Sequence, residues 1–531
     1  MKLKTILAVL ALLLGSFFQT AQAQTTTKMV NPLTYTDIPD NDVIRVGEDY
    51  YMISTTMFFC PGAPIMHSRD LVHWRIISYI YDVLADDDIY NLRNGRNAYG
   101  KGQWATSLRY VDGVYYALFI ANDQRKTYVY RTTDITKSNW ERNELEGVFF
   151  HDPSLLFDND GRVYAVYGNG ELHITELTPD LRSVKKGGVD QILIKTPREG
   201  FGLRAEGAHM YHIGDYYYCI VIDWPSGSPR TERCYRSKTL LGEYESKVIL
   251  QGAFDGRSDG VAQGAIFDTP KGDWYSVMFQ DHGGVGRVPT LQPCTWVDGW
   301  PMLGNNGIPV KEFDVNLAPY GEDLVWASDE FKYKSNADLN LVWQWNHKPI
   351  DEAWSLTARK GWLRLTTAQL AKNIFDARNT LCQRTVGPRC IDEVCIDVTG
   401  MKPGDNAGLC AFQSNFCSVG VTVAEDGQRY VVANSGSMRN SKEVFRTPLK
   451  GKKVYLRCKY IFTAQADDTC GNDKVYMSYS EDGKKWIDID NELQMRFTLD
   501  FFIGYKAALY NYATTQLGGH ADFDYFRQWT Y

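Results

Sequence analysis

Nowhere in the 531 residues is there a long block of like charge, and 57 Lys and Arg against 64 Asp and Glu leave a formal charge of only −7. That argues against a nucleic-acid binder or a basic membrane-surface protein, since either would carry a basic patch. Beyond the N-terminus no apolar run approaches the roughly 20 residues of a membrane-spanning helix. Phosphate-cradling loops, dinucleotide fingerprints, serine nucleophile elbows and H-E-x-x-H helices are also missing. The Ala-, Leu- and Glu-rich stretches of long helices are scarce; instead there are 14 Trp, 33 Tyr, 24 Phe and 45 Gly, the composition of strands joined by tight turns. Eleven cysteines match no zinc spacing, and their odd number leaves at least one thiol unpaired. They read as small buried hydrophobes with one or two disulfides among the clustered C-terminal ones, Cys382, Cys390, Cys395, Cys410 and Cys417. At 44% apolar and 23% charged residues, the chain is that of a packed globular protein.

The N-terminus reads as an export leader. Lys2 and Lys4 precede an apolar run from Ile6 to Leu14, and Ala21-Gln22-Ala23 has the small-x-small form of a processing site, so cleavage is expected after Ala23. The first cysteine is Cys60, which leaves no residue for a lipid anchor at that site. A periplasmic or secreted protein is the expectation.

The most informative pattern is a repeat. A polar or acidic residue, an apolar stretch, a glycine turn and then aromatics recur five times, with turn glycines at Gly47, Gly113, Gly161, Gly214 and Gly272. Their spacing of roughly 50–65 residues is that of a four-stranded propeller blade with variable loops. A five-bladed β-propeller over residues 27–325 is therefore predicted. The innermost strands of a propeller line one channel, so equivalent positions at their starts converge; here these are Asp40, Ala105, Asp152, Glu206 and Gln263. Three carboxylates then share one funnel, where burial and mutual repulsion raise at least one pKa.

Glycosidic hydrolysis uses such a set: a protonated carboxyl donates to the leaving oxygen, an ionised one activates water or attacks the sugar, and a third tunes the acid. The surrounding stretches add specificity. Asn31-Pro32, Ile38-Pro39-Asp40, Ile65 to Trp74, Trp104-Ala105, His151-Asp152-Pro153-Ser154-Leu155, Ala205-Glu206-Gly207 with His209, and Asp298-Gly299-Trp300-Pro301 together resemble glycoside hydrolase family 43, of the β-xylosidase and α-L-arabinofuranosidase type. The resemblance spans essentially the whole mature chain. It implies Asp40 as general base, Glu206 as general acid and Asp152 as the residue that tunes and orients the acid. It implies inversion at the anomeric carbon, with base and acid about 6.5–9.5 Å apart. Trp104, Phe58 and Phe59 are expected to wall the sugar site, and Arg287 to contact substrate hydroxyls and the acid. No cofactor is required, although His282 resembles a channel histidine that in some relatives helps hold a structural calcium or a water. Three departures from the family pattern stand at Asn41, Thr106 and Ala208, where Pro is usual. Asn41 is expected to loosen the strand start that aims Asp40, which makes Asp37 and Asp42 rival bases.

Residues 326–531 carry period-two patterning, as in Trp362-Leu363-Arg364-Leu365-Thr366, and turns such as Glu425-Asp426-Gly427, so a β-sandwich is predicted. It resembles the concanavalin-like jelly roll that follows the propeller in this family, where a loop can reach over the active-site rim. The alternative is a carbohydrate-binding module built on Trp343, Trp345 and Trp354. The whole chain thus reads as all-β, with no membrane span, no nucleic-acid partner and a pentose-containing oligosaccharide or polysaccharide as substrate. An exo-acting α-L-arabinofuranosidase is the first reading and a β-D-xylosidase the second. A non-catalytic sugar-binding propeller is the rival from another class; a protein-binding adaptor needs no acids at the funnel.

Overall fold

The computed structural model describes residues 25–462 and 472–531. The expected leader, residues 1–23, and Cys470 lie outside the described residues. Regular structure is almost wholly β, with four short 3-10 turns and no α-helix among the described residues. None of the described helical segments is long and apolar enough to cross a membrane.

Five four-stranded antiparallel sheets form the blades of a propeller. Their innermost strands are Asp42–Val46 in blade I, Gln103–Val111 in blade II, Ser154–Phe157 in blade III, Phe201–Ile213 in blade IV and Val261–Asp268 in blade V. Each inner strand touches the next around the ring, and blade V returns to blade I. Separate apolar layers fill the gaps between blades: Met52, Trp74, Val277 and Leu291 between I and V, and Leu156, Tyr164, Met210 and Val221 between III and IV. Burial of such side chains, at about 1.5–3 kcal/mol each, is what holds neighbouring blades together. The ring is closed by strand Thr27–Val30 pairing with Glu312–Val315, and by the two-pronged contact of Arg45 with Asp268 at 2.8 and 2.7 Å.

The C-terminal part is a sandwich of an eight-stranded and a seven-stranded sheet, a concanavalin-like fold. Its core contains Trp343, Val394, Leu409, Val419 and Phe526. One strand of the larger sheet comes from the propeller: Phe59–Cys60 pairs with Trp345 and Asn346. That sheet therefore buries both faces, one in the sandwich core and the other against blades I and II through Phe375, Phe412, Phe416 and Phe501.

Two expectations are corrected by this packing. The ten described cysteines are all buried and unpaired. Cys410 lies one register step from the partner of Cys417 on adjacent strands, so the two thiols face opposite sides of the sheet; Cys390 and Cys395, five apart on one strand, are likewise split. Of the binding-module tryptophans two are buried and the third half-buried, so they form no open platform, and all three edge one crevice beside blade I. Trp343 and Trp345 are core residues, Trp343 donates its indole N–H to Asp329 at 2.9 Å, and Trp354 packs on Trp345.

Candidate active site

The strand starts aim the chemistry. Asp40, Asp152 and Gln263 all adopt positive φ, at 52°, 46° and 60°, and in blade IV the residue after Glu206, Gly207, does the same at 62°. This left-handed turn, which Asp tolerates better than branched residues, bends each chain so that the side chain points into the axis. Each such turn costs about 1–3 kcal/mol at a non-glycine residue, held by the surrounding packing. Gly207 is required by space as well, because a Cβ there would lie 2.9 Å from the Gln263 side chain. Asn41 does not loosen the turn as expected: its Nδ2 donates to the Ile38 carbonyl at 2.8 Å and closes the loop around Asp40.

Asp40, Ala105, Asp152, Glu206 and Gln263 line one cavity of about 360 Å³. Trp104 and Arg287 line it too, as the sequence implied, but the Arg287 guanidinium is bonded to Asp40 and not, as expected, to Glu206. Phe58 and Phe59 do not. Both are fully buried in the layer between propeller and sandwich, where Phe58 packs on Tyr99, His347 and Phe501. Met57 takes the wall position instead, with Leu499 and Phe502 reaching in from the sandwich to form the rim. A larger crevice of about 540 Å³ between blade I and the sandwich shares none of these residues and holds no comparable carboxylate set.

Asp40 accepts from Arg287 Nη1 at 2.7 Å and from Thr55 Oγ1 at 2.7 Å. Burial pushes its carboxyl up, while Arg287 and Thr55 pull the other way by holding the ionised form. The rival bases are engaged elsewhere. Asp42 accepts from the Leu108 N–H at 2.8 Å and Arg109 at 2.7 Å, tying blade I to blade II, and Asp37 accepts from the Arg287 N–H at 2.9 Å.

On blades III and IV the arrangement differs. The ligating atoms of His151, Asp152 and Glu206 all lie within 4.8 Å of one another. His151 Nε2 stands 3.4 Å from Glu206 Oε2 and 3.6 Å from Asp152 Oδ2, and Asn169 donates to the same Glu206 oxygen. Burial, reinforced by Glu206 and Asp40, pushes Asp152 up to about 7 although His151 opposes it. Burial alone would pull His151 down, but the Asp152 and Glu206 carboxylates outweigh it and carry the imidazole to about 9. The cluster therefore holds exchangeable protons near neutral pH, while Asp40 stands outside it on blade I, adjacent in the ring to neither III nor IV. The cluster and the Asp40 carboxylate line the same cavity from different blades.

His151 and Asn169 were not picked out as site residues, although His151 lies beside Asp152 in a stretch that was. Gln263 is fixed by Glu232, a buried side chain whose Oε2 accepts its backbone N–H at 2.7 Å. His282 lies outside the cavity: it is buried, bonded through Nδ1 to the Tyr35 hydroxyl at 3.0 Å, and pushed down to about 3 by burial and by the cations Arg257 and Lys311. Those surroundings do not suit a calcium ion. Among the described residues, the one group of three or more His, Cys, Asp or Glu side chains close enough together to ligate a cation is His151, Asp152 and Glu206.

As pH rises through about 7 the Asp152 proton leaves, because its folded pKa stands above the ordinary carboxylate value. The alkaline limb of kcat/KM reports the protons this cluster shares rather than Asp152 alone, and Asp152→Asn, which cannot ionise, should displace that limb as well as lower the rate. A pH–rate profile of both proteins checks this; an unmoved limb would separate Asp152 from the proton-holding cluster.

Residues 29–301 match glycosyl hydrolases family 43, and residues 328–528 match the beta xylosidase C-terminal concanavalin A-like domain. The chain belongs to glycosyl hydrolases family 43. It is 28% identical to a beta-xylosidase of Formosa agariphila, over 94% of this chain and 89% of that one. It is 26% identical to a non-reducing end alpha-L-arabinofuranosidase of Bacteroides ovatus, over 93% and 94%. The solved structure of a bifunctional GH43-CE protein of Bacteroides eggerthii superposes with a TM-score of 0.88 at 42% identity; the match covers 95% of this chain and 64% of that one, so this chain spans just under two thirds of that protein.

Proposed function

We propose that this family 43 glycoside hydrolase removes single terminal α-L-arabinofuranosyl residues from hemicellulose side chains or oligosaccharides, with inversion. Asp40 takes a proton from a water molecule as its oxygen attacks the anomeric carbon; Glu206 gives its proton to the departing glycosidic oxygen; Asp152 tunes and orients Glu206. The observation that carries this reading is the placement of Asp40, gripped by Arg287, across the axis from the proton-holding His151, Asp152 and Glu206 cluster. An inverting displacement needs a base and an acid on opposite faces of the sugar. The aromatic face of Trp104 and the rim side chains Leu499 and Phe502 hem the cavity in a way that suits one sugar unit at a chain end. The expected leader would deliver the enzyme outside the cytoplasm, where polymeric substrate lies.

A β-D-xylosidase is the second reading, favoured by the name of the Formosa agariphila relative. Parallel assays on aryl α-L-arabinofuranoside and aryl β-D-xyloside separate the two. The arabinofuranoside is expected to be the better substrate; faster release from the xyloside would replace the first reading by the second, and release from neither would set aside both.

A further inference from the structure

One buried carboxylate joins the two domains at the site. Asp37 is 2% exposed and lies three residues before Asp40. Its Oδ1 accepts the backbone N–H of Arg287 at 2.9 Å, and its Oδ2 accepts the N–H of Gly504 at 3.0 Å and faces Lys506 Nζ at 3.4 Å. Gly504 and Lys506 belong to the sandwich, just beyond the rim residues Leu499 and Phe502. Arg287, fixed at its backbone by Asp37, directs its side chain to the base loop and to the sandwich: Nη1 to Asp40 at 2.7 Å and Nη2 to the Phe502 carbonyl at 3.2 Å, with the guanidinium 4.7 Å from the Phe502 ring centroid. The circuit is tight. Gly286 has φ +104°, and a Cβ there would lie 2.2 Å from Asp37 Oδ1, so this approach of the carboxylate to the backbone admits only glycine.

We infer that Asp37 is a positioning residue for the hydrolysis: with Lys506 as its counter-charge, it sets Arg287 against the base Asp40 and seats the sandwich-derived rim, Leu499 to Gly504, in the cavity. The inference rests on the assignment of Asp40 as base. A buried ion pair is weak evidence of net stability, and its retention is best explained by the geometry it fixes. Here that geometry is catalytic, since a misplacement of about 1 Å at a reacting group can cost 100-fold in rate. The charges facing Asp40 are Arg287, Glu206, Asp37, Asp152 and His151; those facing Asp37 are Lys506, Arg287 and Arg384, whose Nε donates to the Asp37 carbonyl at 3.0 Å. Burial pulls Lys506 down to about 8 while Asp37 opposes the shift, so the ammonium is kept through neutral pH. If Arg287 is released from Asp40, the ionised base loses its main support and its pKa rises; the acid limb of kcat/KM moves to higher pH.

The test compares wild type, Asp37→Asn, Lys506→Met and Lys506→Arg, each first shown to be folded by circular dichroism, in pH–rate profiles on the cleaved aryl pentoside and in hydrogen exchange of residues 499–504. Asp37→Asn is expected to lose ~10–100-fold in kcat with a smaller change in KM, to raise the acid limb, and to speed exchange in 499–504; Lys506→Met should follow it and Lys506→Arg should restore the limb. A folded Asp37→Asn protein with wild-type rate, or one whose rate falls while the limb and the exchange stay unchanged, overturns the inference. The exchange measurement needs no turnover. Absence of pentosidase activity in wild type would therefore count against the proposed function, while unchanged exchange would count against the role of Asp37.

Discussion

Glu206→Gln is expected to lower kcat on an arabino-oligosaccharide by ~10²–10⁴-fold, the usual contribution of a general acid, with KM close to wild type. The side chain keeps its size, and its neighbours Asn169 and His151 remain in place, but it has no proton to give. The loss should depend on the leaving group. A sugar hydroxyl cannot depart without a proton, whereas a nitrophenolate is stable as the anion, so an activated aryl glycoside should keep much more of its wild-type rate. Kinetics on a series of aryl glycosides check this: the slope of log kcat against leaving-group pKa should be steeper in the variant. Equal loss on every leaving group would remove Glu206 from the acid role.

Asp40→Asn is expected to fall by a similar ~10²–10⁴-fold, but evenly across leaving groups, because activation of water is needed whatever departs. The change also leaves the buried Arg287 guanidinium without its carboxylate, so a drop in thermal midpoint should accompany it. The comparison that isolates the base is with Asp42→Asn. Asp42 is committed to Arg109 and the Leu108 N–H, so its replacement should reduce stability more than turnover. If Asp42→Asn were inactive and folded while Asp40→Asn turned over normally, the base would have to be reassigned.

These contrasts follow from features that differ in how far the sequence shows them. The propeller was legible because its signal is a period: glycine turns and aromatic return strands recur, and the ring geometry then brings residues 40, 152 and 206 to one axis whatever the loops do. Where a reading depended on a partner far along the chain, it failed. Phe58 and Phe59 have the look of a sugar platform, yet Phe58 is claimed by His347 and Phe501, and Phe59 lies in the strand that pairs with the sandwich, contacts with no local trace. The same distance hides Leu499 and Phe502, which complete the cavity from the other domain. His282 resembled a channel ligand by its neighbours in sequence, but Arg257 and Lys311 set its electrostatics from elsewhere. Asn41, read as a weakening of the usual proline, makes its own turn-closing hydrogen bond, a compensation visible only once the backbone turns at Asp40.

The most direct measurement of the account is the configuration of the first-formed sugar, followed by proton NMR in the minutes before mutarotation. A base on blade I facing an acid cluster on blades III and IV, with water delivered between them, predicts that the released pentose appears first with its anomeric centre inverted. Initial release of the retained anomer would mean that a carboxylate attacks the sugar itself, and would contradict the placement of these groups as base and acid.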